Sequence, residues 1–415
     1  MKILGHKPAA WMETTMRIPL FLVLVAAAEA QALVVTGTGD PNVDVPAVQA
    51  AVDQGGRVVL MGHFSFDRPP TKPDGEPYSR TITVSKQVAI SGNPDENGEQ
   101  PSIEGGFFPF YIEAQGTPVA IQGLRFVRPI AGAIWVHAVS GLVIAGCRVE
   151  RVVPSTEFGS YVPTANPYAS PIWITLSKPE NLSGTMLISN NDIDAGGAAG
   201  EQITGIYIDT VGRSPDKEVD LYIFGNNIRN ITDSVIDVKS IAGRVHIERN
   251  VIATGSISLP VALKPQAINV IGSGSYLVAH NSVVSQWATG AGITVQGNVG
   301  LSEASAIVVD NDVTMSAPDG TVFGSNSGGI MILGFAQSNA VVNNRIRGRA
   351  RVALAVSAKS GGIPENSTFV ANVLDGFTSS QADLLVDAGV SNTVLVGPQG
   401  TVEDHGAGTV VVPMQ

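Results

Sequence analysis

The sequence predicts an all-β solenoid, a stack of coils each built from short parallel strands. Three observations carry this: the composition, a recurring pair of apolar positions, and a column of asparagines fixed within that recurrence. The chain has 415 residues, of which 44% are hydrophobic and only 15% charged, with 46 glycines. A disordered chain carries more charge and less Val and Ile. A helical protein carries more Leu, Glu and Lys at helical spacing, whereas Val, Ile, Thr, Asn and Gly at this density favour many short strands joined by turns. The formal net charge of −11 argues against a nucleic-acid backbone as partner, since phosphate binding needs a cationic face. It leaves a polyanionic sugar open, because a local Lys cluster or a bound divalent cation reverses the local sign.

Taken from the N-terminus, residues 1–32 read as an export signal. Met16-Arg17 is followed by IPLFLVLVAAA and then AEAQA: a basic start, an apolar run too short to span a bilayer, and small residues at a cleavage site near Ala30 to Ala32. Met16 is an alternative start. Residues 33–415 are expected to form one exported domain, with no membrane attachment once the leader is removed. Cys147 is the single cysteine, so disulfides do not hold the chain together. Residues 33–66 read as a cap followed by the first strand. Asp44 can cap a short helix, Val45, Val48 and Val52 share one face, and Gly55-Gly56 end it. A helix at the end of a solenoid covers an otherwise open strand edge.

The coils follow. LVIAGCRV (142–149), MLISNNDI (186–193), VHIERNVI (245–252), YLVAHNSV (276–283) and AIVVDNDV (306–313) align with three similar segments. The shared position holds Cys147, Asn191, Asn226, Asn250, Asn281, Asn311, Asn344 and Asn372. An apolar residue stands three before it and another two after it. Constant strands with variable connections are how a solenoid absorbs insertions. Stacked in register, equivalent side chains lie about 4.8 Å apart, so the asparagines form an inward ladder at a corner. Asn tolerates the left-handed backbone that sharp corners use, and its amide can bond the amides above and below. A second strand precedes each of these, as in AIWVH (133–137), PIWIT (171–175), GIYID (205–209), VIDVK (235–239), AINVI (267–271), GITVQ (292–296) and GIMIL (329–333).

The D-x-PAVQAAVDQGG-x-VVL start and the asparagine ladder resemble the right-handed parallel β-helix proteins, the pectate-lyase-like superfamily, over roughly residues 33–400. The resemblance implies a right-handed parallel β-helix with an N-terminal capping helix. It says less about function, because one fold hosts many.

Strand alternation sorts the preceding strands into inward Ile and Val pairs and two outward columns. The first runs Trp135, Trp173, Tyr207, Asp237, Asn269, Thr294, Met331. The second runs His137, Thr175, Asp209, Lys239, Ile271, Gln296, Leu333. Aromatic rings beside acids and a Lys suit a sugar groove, so Trp135, Trp173, Tyr207 and Asn269 are candidate substrate-binding residues. The 150–170 insertion could equally cover the two tryptophans. In TDSVIDVKS the acids and the Lys resemble the acid–acid–lysine arrangement of the pectate lyases. That resemblance implies Asp209, Asp233 and Asp237 as Ca²⁺ ligands and Lys239 as a substrate contact, with β-elimination on a uronate polymer. The family's R-x-P-x-x-R base motif is absent from residues 33–415. Lys264 in ALKPQ is the nearby basic candidate for that role, or a solvated loop Lys; Arg213 and Lys217 are equally open. The N-T-D, G-H-G and R-I-K segments of polygalacturonase-like hydrolases are absent too. Two functions stay open: an exported, monomeric, polysaccharide-active enzyme of the uronate-lyase type, and a non-catalytic glycan-binding or structural β-helix.

Overall fold

The computed structural model describes residues 32–67, 81–155, 167–176, 182–198, 201–210, 219–241, 243–255, 266–287, 289–297, 304–359, 362–397 and 400–413. Residues 1–31 of the proposed leader and Lys264, Arg213 and Lys217 lie outside the described residues. The chain is a right-handed parallel β-helix. Strands in equivalent positions pair in parallel from coil to coil with few register shifts. Ile206 pairs with Ile236, Ile236 with Ile268, Ile268 with Ile293, and Ile293 with Ile330. A second strand set stacks the same way, with Ile188 beside Ile223 and Ile223 beside Ile247. A third set brings Ile193 to Ile228 and Ile228 to Ile252. The inward residues of all three sets merge into one apolar core that runs from Val45 to Leu395. Burial of this repeated Ile and Val surface is what drives the coil closed.

The corners are where a solenoid risks burying unpaired backbone groups. Here each ladder asparagine resolves that risk for two coils. The Asn281 carboxamide oxygen accepts from the Asn250 backbone N–H at 3.0 Å and from Asn250 Nδ2 at 3.0 Å. Asn281 Nδ2 in turn donates to Ile247 O at 2.8 Å and to Asn311 Oδ1 at 3.0 Å. The same pattern links Asn191 to Asn226, Asn226 to Asn250, Asn311 to Asn344, and Asn344 to Asn372. Cys147 occupies the column as aligned: its N–H donates to Asn191 Oδ1 at 2.9 Å. Its thiol is buried, and that burial pushes its pKa up to about 11, so it is unreactive at neutral pH. The left-handed backbone, however, belongs to the residue before each asparagine. Gly146, Asn190, Gly225, Arg249, His280, Asp310, Asn343 and Ala371 have φ between 53 and 65°. That turn aims the next side chain inward along the stacking axis, which fixes Asn in its place by hydrogen bonding rather than by φ.

The capping helix spans Pro41–Gln54, with Val45, Val48 and Val52 buried as their spacing requires. Its N-cap is Asp40, whose carboxylate accepts from Asn42 N–H at 2.9 Å, with Pro41 at the first helical position. Asp44 is therefore not the cap. It is buried in the first turn, and its carboxylate accepts from Thr38 N–H at 2.8 Å, Gly39 N–H at 3.0 Å and Ser65 N–H at 2.9 Å. A carboxylate three or four residues inside the helix can reach back to the incoming chain, and here it ties that chain to the first coil. Gln49 finishes the seal: its amide donates to Thr83 O at 2.9 Å and accepts from Thr83 N–H at 2.8 Å. A helix side chain thus supplies the hydrogen bonds that a neighbouring strand would have made.

Asn281→Ala is expected to cost about 3 kcal/mol, because it leaves the buried Asn250 N–H without its partner and removes the bonds to Ile247 O and Asn311 Oδ1. Asn227→Ala, on an exposed outer face, should stay within about 0.5 kcal/mol. Urea unfolding of the two variants beside the parent measures the difference.

Candidate functional site

The two outward columns read from the sequence exist in register. Tyr207 pairs with Asp237, and Asp237 with Asn269; Asp209 pairs with Lys239. Ile236 and Val238 face the core, so alternation forces Asp237 and Lys239 to the outside of the sheet. Outside does not mean exposed. The first column is covered, while the second is partly open: Asp237 is 5% exposed, whereas the Lys239 side chain keeps 33%.

Trp135 and Trp173 stack at 5.3 Å between ring centroids and 14° between planes. They do not form an open platform. Both indoles are buried in a second apolar cluster with Phe107, Phe108, Tyr111 and Tyr168. Phe108 lies 5.5 Å from Trp135 and 5.9 Å from Trp173. Tyr168 comes from the insertion that was open as a cover, in a short strand Tyr168–Ala169 paired with Gln202–Ile203. Tyr207, packed at the end of this cluster, stands between the aromatic and the charged parts of the column.

The charged part is a network. Lys239 Nζ lies 2.9 Å from Asp237 Oδ2 and 4.8 Å from the Tyr207 ring centroid. Asn269 Nδ2 donates to Asp237 Oδ1 at 2.8 Å. The Tyr207 hydroxyl donates to Asp209 Oδ2 at 3.0 Å. Asp233 is held elsewhere: Gln202 Nε2 donates to it at 2.8 Å and the Thr204 hydroxyl at 3.3 Å. Burial lifts the Asp237 carboxyl above its ordinary range, against the pull of Lys239 and Asn269. Burial also lifts Asp209, opposed by the Tyr207 hydroxyl and Lys239. Burial works against the charge on Lys239, but Asp237, then Asp209 and Asp233, outweigh it and hold the ammonium above its ordinary range. Tyr207 is pushed up by burial and by Asp209 and Asp237, so it stays protonated.

This donor set does not fit a calcium ion. Among the described residues no three His, Cys, Asp or Glu side chains come together as a metal site. Asp209, Asp233 and Asp237 each answer to different partners, and the cation set against Asp237 is the Lys239 ammonium. Lys239 is accordingly a committed ion-pair partner, and its raised pKa unsuits it as a base.

A partly open line remains. His137, Thr175, Asp209 and Lys239 follow one another on successive coils, a length of about 14 Å at the strand spacing. Glu113 extends it, 3.6 Å from His137 Nδ1. Glu113 was not singled out by sequence; its strand, Phe110–Ala114, precedes the aligned series by one coil, and extending the alignment backwards would have found it.

No family model and no curated protein matches the chain. Among solved structures, tailspike protein 3 of bacteriophage CBA120 is similar at 12% identity and a TM-score of 0.47, over 91% of this chain and 58% of the tailspike chain. The chain thus spans somewhat more than half of that protein's length. The A-module of the Azotobacter vinelandii mannuronan C-5 epimerase AlgE4 is similar at 13% identity and a TM-score of 0.42, over 90% of this chain and 97% of the module. The surface protein and adhesin PfbA of Streptococcus pneumoniae is similar at 11% identity and a TM-score of 0.40, over 85% of this chain and 100% of that chain. The fold assignment rests on the strand register described above.

Lys239→Met leaves the buried Asp237 carboxylate uncompensated and is expected to cost about 3 kcal/mol at neutral pH. The sign with pH follows from the raised carboxyls. Asp237 and Asp209 hold protons in the folded chain to higher pH than in the unfolded one. Their contribution is full below the ordinary carboxyl value of 3.8 and is lost as pH rises through the raised folded value. Lys239→Met should therefore recover stability on acidification more than the parent does, as melting temperatures from acid to neutral pH will reveal. A variant equally destabilised at every pH contradicts the pairing.

Proposed function

We propose that the protein is an exported, polysaccharide-active β-helix that binds a glycan along the partly open line from His137 to Lys239. The observation that supports this most is the set of fixed polar groups at strand spacing on one outer face: Thr175, the Asp209–Tyr207 pair and Lys239 held by Asp237. A sugar polymer needs polar partners repeated along its length, and groups locked by neighbours lose little entropy on binding. Trp135 and Trp173 act from below, as the packed support that orients Tyr207.

A second reading is uronate lyase activity, favoured by the raised Asp209 carboxyl bonded to a protonated tyrosine. Asp209 would take the proton from the carbon beside the uronate carboxylate. The electron pair left behind forms the carbon–carbon double bond as the glycosidic bond breaks. The leaving oxygen takes the Tyr207 proton, which Asp209 then restores through their hydrogen bond. No calcium step is included, because the carboxylates do not form its site.

Asp209→Asn keeps the size of the side chain and is expected to weaken glycan binding about tenfold with little change in melting temperature. Under the second reading it also abolishes the absorbance of unsaturated product on polygalacturonate or alginate. An Asp209→Asn protein that binds and reacts as the parent does contradicts the assignment of this line as the site.

A further inference from the structure

Beyond Asn269 the two outward columns continue onto the next strand, Ala291–Gly297. Thr294 pairs with Asn269, and Gln296 with Ile271, the coil neighbour of Lys239. Ile293 and Val295 fill the core, so Thr294 and Gln296 stand on the outer face. Both are more than nine-tenths buried, at 1% and 7% exposure. Yet among the described residues Thr294 Oγ1 and Gln296 Oε1 have no hydrogen-bond partner. A buried polar atom left unpaired costs stability, so two of them side by side, in line with a polar network, call for an external donor.

We propose that the glycan site extends onto Thr294 and Gln296, and that its ligand is an uncharged, hydroxyl-rich glycan. This rests on the polysaccharide reading above and stands against its uronate-lyase variant. The chemistry of the groups decides the ligand class. Gln296 Oε1 is an acceptor only, and a glycan hydroxyl can donate to it. The Asp209 carboxylate likewise accepts, while the Thr294 hydroxyl can serve either way. A uronate carboxylate has no proton to donate. It would also need a free cation, and the Lys239 ammonium is already matched by Asp237 in the field of Asp209 and Asp233. An added carboxylate would meet more negative than positive charge among the described residues of this network.

Thr294→Val and Gln296→Met remove the orphaned atoms while nearly conserving volume. The full chain and both variants are applied to an array of neutral and uronate oligosaccharides, with melting temperatures recorded alongside. The expected result is binding to neutral glycans that each variant weakens about tenfold, with melting temperatures unchanged or raised. A merely structural role would raise stability and leave binding untouched, which overturns the proposal. Binding to uronate oligosaccharides alone also overturns it but leaves the polysaccharide reading standing. Binding to no glycan of either class overturns both.

Discussion

From Cys147 to Asn372 one side-chain contact recurs between successive coils, the asparagine amide that accepts from one coil and donates to two carbonyl groups around it. Hydrophobic burial closes the coil and opposes a slip of one residue, which would turn every outward side chain inward. It discriminates less against a slip of two, which keeps the inward Ile and Val on the core face. The ladder removes that freedom, because a displaced asparagine would lose its bonds and strand buried backbone groups at the same corner. Variable connections between strands are tolerated for the same reason. The outward columns, and the site on them, are consequences of that fixed register.

On the outer face the problem is reversed: charge must be held where water is partly excluded. Asp237 is deeply buried and would be costly alone. Lys239 lies two residues along the same strand, on the same side by alternation, and Asn269 sits opposite on the next coil. Together they satisfy both carboxylate oxygens. The pair contributes little net stability, since desolvation offsets attraction, but it makes one arrangement far better than its alternatives. Tyr207 and Asp209 use the previous coil in the same manner, linked by a hydroxyl rather than a cation.

Much of this was legible in the sequence because the repeat converts three-dimensional neighbours into aligned letters. The ladder positions, the inward Ile and Val pairs, and the pairing of Asp209 with Lys239 and Tyr207 with Asp237 follow from period and alignment alone. What was illegible depended on parts of the chain outside the repeat. The sequence left open whether the 150–170 insertion covers Trp135 and Trp173, but nothing in the alignment reveals that Phe107 and Phe108 join Tyr168 there, or that Gln202 and Thr204 draw Asp233 away. Short-range competition was hidden too. Asp44 read as the cap, but Asp40, just before Pro41, takes that place, and Asp44 instead binds the incoming chain. Thr294 and Gln296 stood in the right columns, but an unpaired oxygen has no sequence signature.

The most direct measurement is native-state hydrogen exchange of the ladder amides, above all those of Asn226 and Asn250 on the coils that carry Asp209 and Lys239. If the ladder holds the register, these N–H groups exchange together with the core strand Ile236–Ile241, in the slowest class and only on global unfolding. Exchange of the ladder amides ahead of that strand, each at its own rate, would contradict a register set at the asparagine corner.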